Sequence, residues 1–541
     1  MTIRPIITSS IVIFFHAKTG IAWVCNSCAA LKYPQQYGRQ LNYDSSTLLA
    51  SATTEHPAID QWAARAIDWV DDIHRQSSTK SPFAIEIEDE SSDDDTSSNA
   101  CVHPFEWMEG YTSLETCEET RNVALRTLGK PLLDIKAVTS IRKAAQSKWD
   151  GEQSQTSRFT LQFSETNSEC HLDELVTADT TGALKETVDT FLTTNVYPFV
   201  RSAFGSHLGE GRLCVYDSLV IRYDGDKAKG SFGASQPLHR DGGIISVNIA
   251  LNSHEGDAIT GESGFEGGGT FFEDLIRNPV DEKPIVRPSA PGHAVAHLST
   301  VRHAGTPTTS GIREIVVFFL TLRETGASIG APPVERAFHL KMNSKTKDMA
   351  RPAALKCLDL AIGERPEDGE AHFLKGVEMM RNPSKQESVE YRWQEINESV
   401  FHLQRAKELA PFDARIKCFA GMAKKTRFAF AQRTEQEEFA NNGNKDLESA
   451  MTNLEDSIFL HDIYLKFGIS SDFDVATAIL SLGEVFAQLE RYQDAIQCLV
   501  QLESKARFAD DDVTELTVMR TKALIGHCEK ELECSIRVVP P

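Results

Sequence analysis

The pattern of apolar and polar positions changes character after about residue 335. Between about residues 101 and 330, apolar runs of strand length alternate with turns rich in glycine and proline. Runs bounded in this way are typical of β-strands. The predicted strands are Leu213–Tyr223, Ile244–Leu251, Gly269–Phe272, His293–Leu298 and Glu314–Leu322. Many short strands separated by turns favour a sandwich, a barrel or a jelly roll over alternating strands and helices. A stretch with helical periodicity, Leu184–Phe204, precedes the strands.

From about residue 340 to residue 541 the apolar positions follow helical spacing and recur as a set. Small residues at recurring positions let paired helices approach closely, so the set predicts tetratricopeptide-like helical repeats. An irregular helical bundle is the alternative, because insertions near 383–396 and 430–450 interrupt the spacing. Repeats of this kind usually bind extended peptides or partner proteins. The recurring positions are Ala354, Leu358, Ala361, Pro366 and Gly376, then Ser399, Leu403, Ala406, Pro411 and Gly421, then Leu482, Gly483, Phe486, Tyr492, Ala495 and Leu499.

Composition narrows the class of protein. The 541 residues include 78 Asp and Glu against 56 Lys and Arg, for a net charge of −22. An acidic chain is a poor candidate for a nucleic-acid-binding protein, because binding to phosphates requires clustered Lys and Arg. The 11 cysteines are few for this length and have no repeating spacing, which excludes a disulfide framework. Their odd number leaves at least one thiol unpaired within the chain. The length predicts two or three domains.

The N-terminal part of the chain carries few motifs. Residues 1–80 have no assignable role, and an acidic, serine-rich run predicts a linker at 81–100. The apolar run Ile6–Phe15 is shorter than the roughly 20 residues that a membrane-spanning helix needs, so no transmembrane span is predicted. It predicts a buried strand, with a secretory signal peptide as the alternative. The compartment therefore stays open between the cytoplasm and the ER lumen.

Two His-x-Asp motifs are candidates for metal chemistry. In the first, His239-Arg240-Asp241 runs into a pair of glycines before a predicted strand. A His and an Asp at such a strand end, joined by a distal His, can form the 2-His-1-carboxylate triad of non-haem Fe(II) oxygenases. In the second, His171-Leu172-Asp173 runs directly into a helix-like stretch. We predict that this second motif is structural.

The segments after His239 follow a recognisable order. A glycine-rich turn, Glu266–Phe272, and a Pro291-Gly292 turn lead to His303, and Arg313 stands ten residues after His303. This order resembles the iron- and 2-oxoglutarate-dependent dioxygenases of the procollagen prolyl and lysyl hydroxylase group. The resemblance covers roughly residues 135–325. The run from His303 to Arg313 is most similar to lysyl hydroxylases, since prolyl hydroxylases usually have Lys where Arg313 stands.

The resemblance implies a role for each of five residues. His239, Asp241 and His303 would bind Fe(II), and Arg313 would hold the distal carboxylate of 2-oxoglutarate in a bidentate fork. Tyr223, on the strand before His239, resembles the family tyrosine that hydrogen-bonds the same carboxylate. The alternative for Tyr223 is a core aromatic residue.

Two positions qualify this assignment. His293 and His297 are rivals of His303 as the distal ligand, and His303 is preferred for its spacing to Arg313. His297 is predicted to lie beside the ligand or to pack in the core. Prolyl hydroxylases often place a Tyr on the strand after His-x-Asp, where this chain has Asn248 and Ala250, so cosubstrate contacts on that strand are not carried over.

The sequence as a whole predicts an α+β protein with four segments. The segments are 1–80, of unknown role; the linker 81–100; a double-stranded β-helix (jelly-roll) oxygenase domain with flanking helices at 101–330, its core at about 180–325; and an all-α helical-repeat domain at 340–541.

The predicted function follows from the resemblance. The expected reaction hydroxylates a protein side chain, Pro or Lys, using Fe(II), 2-oxoglutarate and O2, with release of succinate and CO2. Ascorbate would keep the iron reduced. The expected partner is a protein or peptide substrate, held by the C-terminal repeats. The alternatives are a catalytically inactive repeat-based adaptor with a relic oxygenase fold, and a hydroxylase of a small molecule.

Overall fold

The computed structural model forms two compact units. The sheet unit comprises the described residues within 81–365 together with 464–469, and the helical unit comprises those within 366–463 and 473–538. The predicted segment 1–80 lies outside the described residues, and the predicted linker 81–100 is described only at 81–87. The described residues are 81–87, 103–111, 120–150, 167–208, 210–228, 234–256, 263–276, 284–324, 347–380, 388–434, 443–469, 473–506 and 515–538.

An antiparallel sheet of seven strands organises the sheet unit, in the order β1-β2-β9-β5-β12-β4-β3. Two smaller sheets, β10-β7-β8 and β11-β6, complete it. The five predicted strands are confirmed as β4, β5, β7, β9 and β12, with ends that differ by one or two residues. The strands are β1 Phe105–Tyr111, β2 Thr120–Thr127, β3 Asn167–His171, β4 Leu213–Asp224, β5 Ile245–Ala250, β6 Glu266–Gly267, β7 Thr270–Phe272, β8 Ile285–Val286, β9 Ala294–Leu298, β10 His303–Gly305, β11 Thr308–Ser310 and β12 Ile312–Leu322.

Helices cover one face of the large sheet. They are α1 Ile135–Trp149, α2 Leu172–Ala178, α3 Ala183–Phe191 and α4 Tyr197–Phe204. The predicted helix Leu184–Phe204 is therefore helical throughout, but one π-helical turn at Leu192–Val196 divides it. A further helix of this unit, α5, spans Lys347–Glu364.

Strand β12 divides the interior of the sheet unit in two. Its residues Val316, Phe318 and Leu320 belong to the core under the helices. The alternate residues Ile315, Val317 and Phe319 belong to a second cluster, together with Tyr223. Successive side chains of a strand point to opposite faces, so one face of β12 is fixed by the helices and the other looks toward the predicted site.

The helical unit contains α6 Gly369–Met380, α7 Val389–Leu409, α8 Ala414–Thr434, most of α9 Gly443–Lys466, α10 Val475–Gln488, α11 Tyr492–Ala506 and α12 Glu515–Val538. No helix within the described ranges is both long enough and apolar enough to span a membrane.

Three predicted glycines of this unit make equivalent contacts. A Cβ on Gly376 would lie 2.5 Å from the Leu403 side chain of the next helix, and a Cβ on Gly421 would lie 2.7 Å from that of Leu454. A Cβ on Gly483 would lie 2.6 Å from the Leu499 side chain. Each glycine therefore lets a helix approach its successor closely. The repeat architecture itself stays a prediction.

The burial of β5 generates a stability prediction. Ile249 is fully buried in the core, whereas Ile135 at the start of α1 is 68% exposed. Ile249→Ala should lower the free energy of unfolding by about 2–5 kcal/mol, because it removes buried methyl groups and leaves a cavity. The same substitution at Ile135 should change it by less than about 0.5 kcal/mol. Chemical denaturation of both variants measures the difference, and equal costs would contradict the placement of β5 in the core.

Candidate metal centre

Backbone pairing brings the two predicted histidine ligands together. The His239 N–H donates to the His303 carbonyl oxygen at 2.9 Å, and the His303 N–H donates back to that of His239 at 3.0 Å. The same antiparallel track continues on both sides, from Gln236 to Gly305 and from Asp241 to Ser299. Residues far apart in sequence are thus held opposite each other by the main chain.

The three predicted ligand side chains converge. The Nε2 atoms of His239 and His303 each lie 3.3 Å from a different carboxylate oxygen of Asp241, Oδ1 and Oδ2 respectively. One ligand atom from each side chain lies within 4.8 Å of the others, and the trio is a group that could hold a metal ion. Two imidazoles and one carboxylate leave coordination positions open, as in non-haem Fe(II) oxygenases.

Hydrogen bonds fix which ring nitrogen faces Asp241. Nδ1 of His239 lies 2.8 Å from the carbonyl oxygen of Pro237, and Nδ1 of His303 lies 3.0 Å from that of Val301. A carbonyl oxygen only accepts, so Nδ1 of each ring carries a proton, and loss of any proton from Nε2 gives a neutral ring whose Nε2 lone pair faces the cluster. This is the tautomer that a metal ligand requires, and its outer hydrogen bond orients the ring.

His303 is buried and the other two residues of the cluster are partly buried, and this burial shifts their pKa values. Burial tends to raise the pKa of Asp241, but the imidazoles of His303 and His239 hold it below the ordinary carboxyl value. Burial also lowers the pKa of His303 well below the ordinary imidazole value. Asp241 Oδ2 is buried and accepts no hydrogen bond from the described residues. An ionised carboxylate that lacks donors is costly, and a bound cation would relieve that cost.

The other histidines named in the sequence have separate roles. His293 binds Thr127 through Nδ1 at 3.2 Å, away from the trio. His297 is fully buried, with Nε2 3.8 Å from Asp241 Oδ2 and its ring centroid 4.2 Å from that of His303. His171 Nδ1 lies 3.0 Å from Asp217 Oδ1, and the structural role of the second His-x-Asp motif stays a prediction. Among the described residues, the group that could hold a metal ion contains His303 and neither of its two rivals.

Strand register pairs the predicted cosubstrate residues. Arg313 of β12 stands opposite Tyr223 of β4, with its guanidinium carbon 5.0 Å from the ring centroid. Arg313 is 4% exposed, and its Nη1 donates to no acceptor among the described residues. The next residue, Glu314, points to the opposite face, where Arg142 and Arg222 bind it. Arg313 is therefore held inward with donor capacity to spare.

The Arg313–Tyr223 pair lies close to the ligand cluster. Burial raises the pKa of Tyr223 to about 12, and the charge of Asp241 adds to that rise. A Cβ on Gly305, two residues after His303, would lie 3.5 Å from the Tyr223 hydroxyl. Burial lowers the pKa of Arg313 from its ordinary value. One compact region thus contains a cluster of acceptors and a buried cation.

The glycine-rich turn found in the sequence makes room for Arg313. Gly268 has φ +68°, and a Cβ there would lie 2.8 Å from Cδ of Arg313. The carbonyl oxygen of Gly268 also accepts a hydrogen bond from Arg287 Nε at 2.9 Å. The charge of Arg287 acts on Arg313, so two guanidinium groups flank this turn.

Sequence reasoning missed a buried ion pair beside the cluster. Arg302 and Glu273 are 4% and 2% exposed, and Nη1 of Arg302 lies 3.0 Å from Oε1 of Glu273. Arg302 directly precedes His303, and Glu273 directly follows Phe272, which pairs with His303. The apolar neighbours of both residues gave a sign of burial, but no spacing rule joins them.

No family model matches the chain, and no curated protein matches it. Among solved structures, the chain is similar to a prolyl-4-hydroxylase from Pseudomonas putida, with 16% identity over 36% of this chain and 90% of that chain, at a TM-score of 0.23. A prolyl hydroxylase from Trichoplax adhaerens, in complex with a hypoxia inducible factor oxygen degradation domain peptide fragment, shares 11% identity over 49% and 94%, at a TM-score of 0.25. A 2OG-Fe(II) oxygenase family oxidoreductase from Burkholderia pseudomallei shares 13% identity over 36% and 82%, at a TM-score of 0.22.

The two His-x-Asp motifs provide a matched test of metal binding. His239→Ala should weaken Co(II) binding by more than about 100-fold, because it removes a ligand atom. Loss of a residue that only hydrogen-bonds a ligand typically costs roughly 10- to 100-fold. His171→Ala removes the equivalent residue of the structural motif and should leave the affinity unchanged. Calorimetric titration with Co(II) measures both, and equal affinities for the two variants would contradict this metal centre.

Proposed function

We propose that this protein is an Fe(II)- and 2-oxoglutarate-dependent dioxygenase that hydroxylates a protein side chain, Pro or Lys, with release of succinate and CO2. The observation that carries the proposal is the convergence of His239, Asp241 and His303 in one cluster, in which His303 is buried and the other two are partly buried. The buried, incompletely paired guanidinium of Arg313 supports it independently.

The donor set fits Fe(II). His239 and His303 offer their Nε2 atoms, since Nδ1 of each ring bonds a carbonyl oxygen, and Asp241 offers a carboxylate oxygen that lacks a donor. Imidazole suits zinc, copper, iron and nickel, and the addition of a single carboxylate with open positions is typical of Fe(II) oxygenases. When bound, Fe(II) would activate O2 and couple the oxidation of 2-oxoglutarate to hydroxylation of a substrate C–H bond. Ascorbate would keep the metal in the ferrous state.

Arg313 and Tyr223 would bind the cosubstrate. A guanidinium group offers two parallel N–H donors that match a carboxylate, and burial strengthens that pairing. Arg313 has the unused Nη1 that this role needs. Burial raises the pKa of Tyr223 to about 12, so its hydroxyl keeps its proton well above neutral pH and can donate a further hydrogen bond to the same carboxylate.

The surrounding residues would keep the site in order and dry. The main-chain bonds between His239 and His303 hold the imidazoles in place, and the carbonyl oxygens at Nδ1 fix their tautomers. Phe272, fully buried, lies with its ring centroid 5.9 Å from that of His303 and shields it from water. We propose that the strands around the site form the double-stranded β-helix predicted from the sequence.

The helical unit would hold the protein substrate. Tetratricopeptide-like repeats require small residues where paired helices meet, and the glycine–leucine contacts of Gly376, Gly421 and Gly483 supply that feature. Stacked repeats form extended surfaces suited to peptides. A peptide substrate would then bind to the same chain that hydroxylates it.

Succinate release tests the reaction. The purified chain with Fe(II), 2-oxoglutarate and ascorbate should release succinate even without its substrate, because uncoupled turnover consumes the cosubstrate. His239→Ala should abolish the release, and His171→Ala should preserve it. Mass spectrometry of the products measures both. Absence of succinate from the native chain would favour the inactive adaptor, and undiminished release from His239→Ala would contradict the role of His239 as an iron ligand.

The role of Arg313 predicts a selective loss of cosubstrate affinity. Arg313→Lys keeps a positive charge but loses the two-pronged geometry. It should raise the KM for 2-oxoglutarate about 10- to 100-fold, which corresponds to one charge-assisted hydrogen bond. The kcat at saturating 2-oxoglutarate should change far less. Arg212→Lys, where the guanidinium pairs with Glu324, is the control and should leave the KM unchanged. An unchanged KM in Arg313→Lys would remove Arg313 from the cosubstrate site.

A further inference from the structure

A short segment late in the sequence belongs to the sheet unit. Residues 464–469 cluster with the strands and not with the helices that precede them in the chain. Tyr464 is 1% exposed and ranks among the largest fully buried side chains of the described residues. Its ring centroid lies 6.0 Å from that of Phe271, and the ring centroid of Phe467 lies 5.7 Å from that of Phe271. The segment therefore packs against β7.

The end of α9 fixes the backbone around Tyr464. The Ile469 N–H donates to the Tyr464 carbonyl oxygen at 2.8 Å, and the Gly468 N–H donates to that of Leu465 at 2.9 Å. Gly468 has φ +68°, the left-handed conformation that favours glycine. This pair of bonds is the Schellman motif that ends many helices. Main-chain hydrogen bonds of this turn therefore fix the backbone of Tyr464 independently of its side-chain contacts.

The Tyr464 hydroxyl acts on the buried ion pair. It donates a hydrogen bond to Oε1 of Glu273, across 191 residues of sequence. The same oxygen accepts from Nη1 of Arg302 at 3.0 Å. Two donors on one buried carboxylate oxygen fix its orientation more firmly than one donor does, and charge-assisted hydrogen bonds are the stronger kind.

Glu273 and Arg302 stand opposite each other, one position along from the distal histidine and its strand partner. Arg302 is the residue before His303, and Glu273 follows Phe272, the partner of His303 in the β7–β10 pairing. The Glu273 N–H also donates to the Arg302 carbonyl oxygen at 3.2 Å. Main-chain and side-chain bonds between these two residues therefore close the strand pair at His303.

We propose that Tyr464 is a positioning residue for the metal centre: through Glu273 and Arg302 it holds the strand that carries His303. The inference rests on the metal centre of the proposed function and adds a residue from outside the resemblance to the oxygenases. Ligands must be held within a fraction of an ångström of their productive positions by the groups behind them. Loss of the tyrosine hydroxyl removes one of the donors to Oε1 of Glu273, so His303 is held less tightly.

The test removes one oxygen atom from the full-length chain. Tyr464→Phe should weaken Co(II) binding about tenfold, the lower end of the loss seen when outer partners of metal ligands are removed. It should also alter the visible absorption spectrum of the bound Co(II), which reports ligand geometry. Calorimetry and absorption spectroscopy measure the two effects without any turnover.

A second buried tyrosine provides the matched control. Tyr197 is also 1% exposed and lies in the sheet unit, and its hydroxyl donates to the Ala84 carbonyl oxygen at 2.7 Å. Tyr197→Phe removes the same atom and a hydrogen bond to a main-chain carbonyl oxygen, but from a residue in α4 outside the contacts around His303. It should leave both the Co(II) affinity and the spectrum unchanged. A general loss of stability would affect the two variants alike.

Each outcome decides the proposal. A Co(II) affinity and spectrum in Tyr464→Phe equal to those of the native chain would overturn it, as would an equal loss in Tyr197→Phe. Glu273→Gln should weaken Co(II) binding as well, and adding Tyr464→Phe to it should cost little more, since both act on one carboxylate. If the losses of Co(II) affinity from the two substitutions were fully additive, Tyr464 would not act through Glu273. A native chain that binds Co(II) but releases no succinate would refute the dioxygenase and leave the positioning role standing, whereas a native chain that binds no Co(II) would refute both.

Discussion

The site depends on one stretch of antiparallel main-chain pairing. Residues 236–241 run against residues 299–305, and the reciprocal hydrogen bonds between His239 and His303 lie at its centre. A His-x-Asp motif alone places only two ligands, and no local rule supplies the third. The pairing supplies the third ligand, His303, because it holds the two backbones at hydrogen-bond distance. Asp241 lies two residues after His239 on the same segment. Every assignment at the metal centre rests on this register.

Burial explains why Asp241 and Arg313 would each favour a bound partner of opposite charge. Asp241 has a buried oxygen with no donor, and Arg313 has a buried N–H group with no acceptor among the described residues. Either feature alone is costly, because a buried polar group without a partner loses its hydration. Together they describe a region that suits a cation at the carboxylate and an anion at the guanidinium. A divalent metal and a dicarboxylic cosubstrate provide that combination.

Local patterns predicted much of this arrangement. The spacing of His303 and Arg313, the glycine turn and the five strands were all accessible from periodicity and from motif order, because each is encoded within a few residues. The opposition of Tyr223 and Arg313 needed the β4–β12 register, which the sequence does not state. The hydrogen bond from Tyr464 to Glu273 could not be predicted, since it joins residues 191 positions apart and Tyr464 occurs near the end of a helix that otherwise belongs to the helical unit. Contacts made only in the tertiary structure leave no periodic trace.

A crystal structure of the chain soaked anaerobically with Fe(II) and 2-oxoglutarate tests the central claim most directly. The account predicts one metal ion bound by Nε2 of His239, a carboxylate oxygen of Asp241 and Nε2 of His303, with the distal carboxylate of 2-oxoglutarate on Arg313. A metal ion bound elsewhere, or 2-oxoglutarate bound without contact to Arg313, would contradict it.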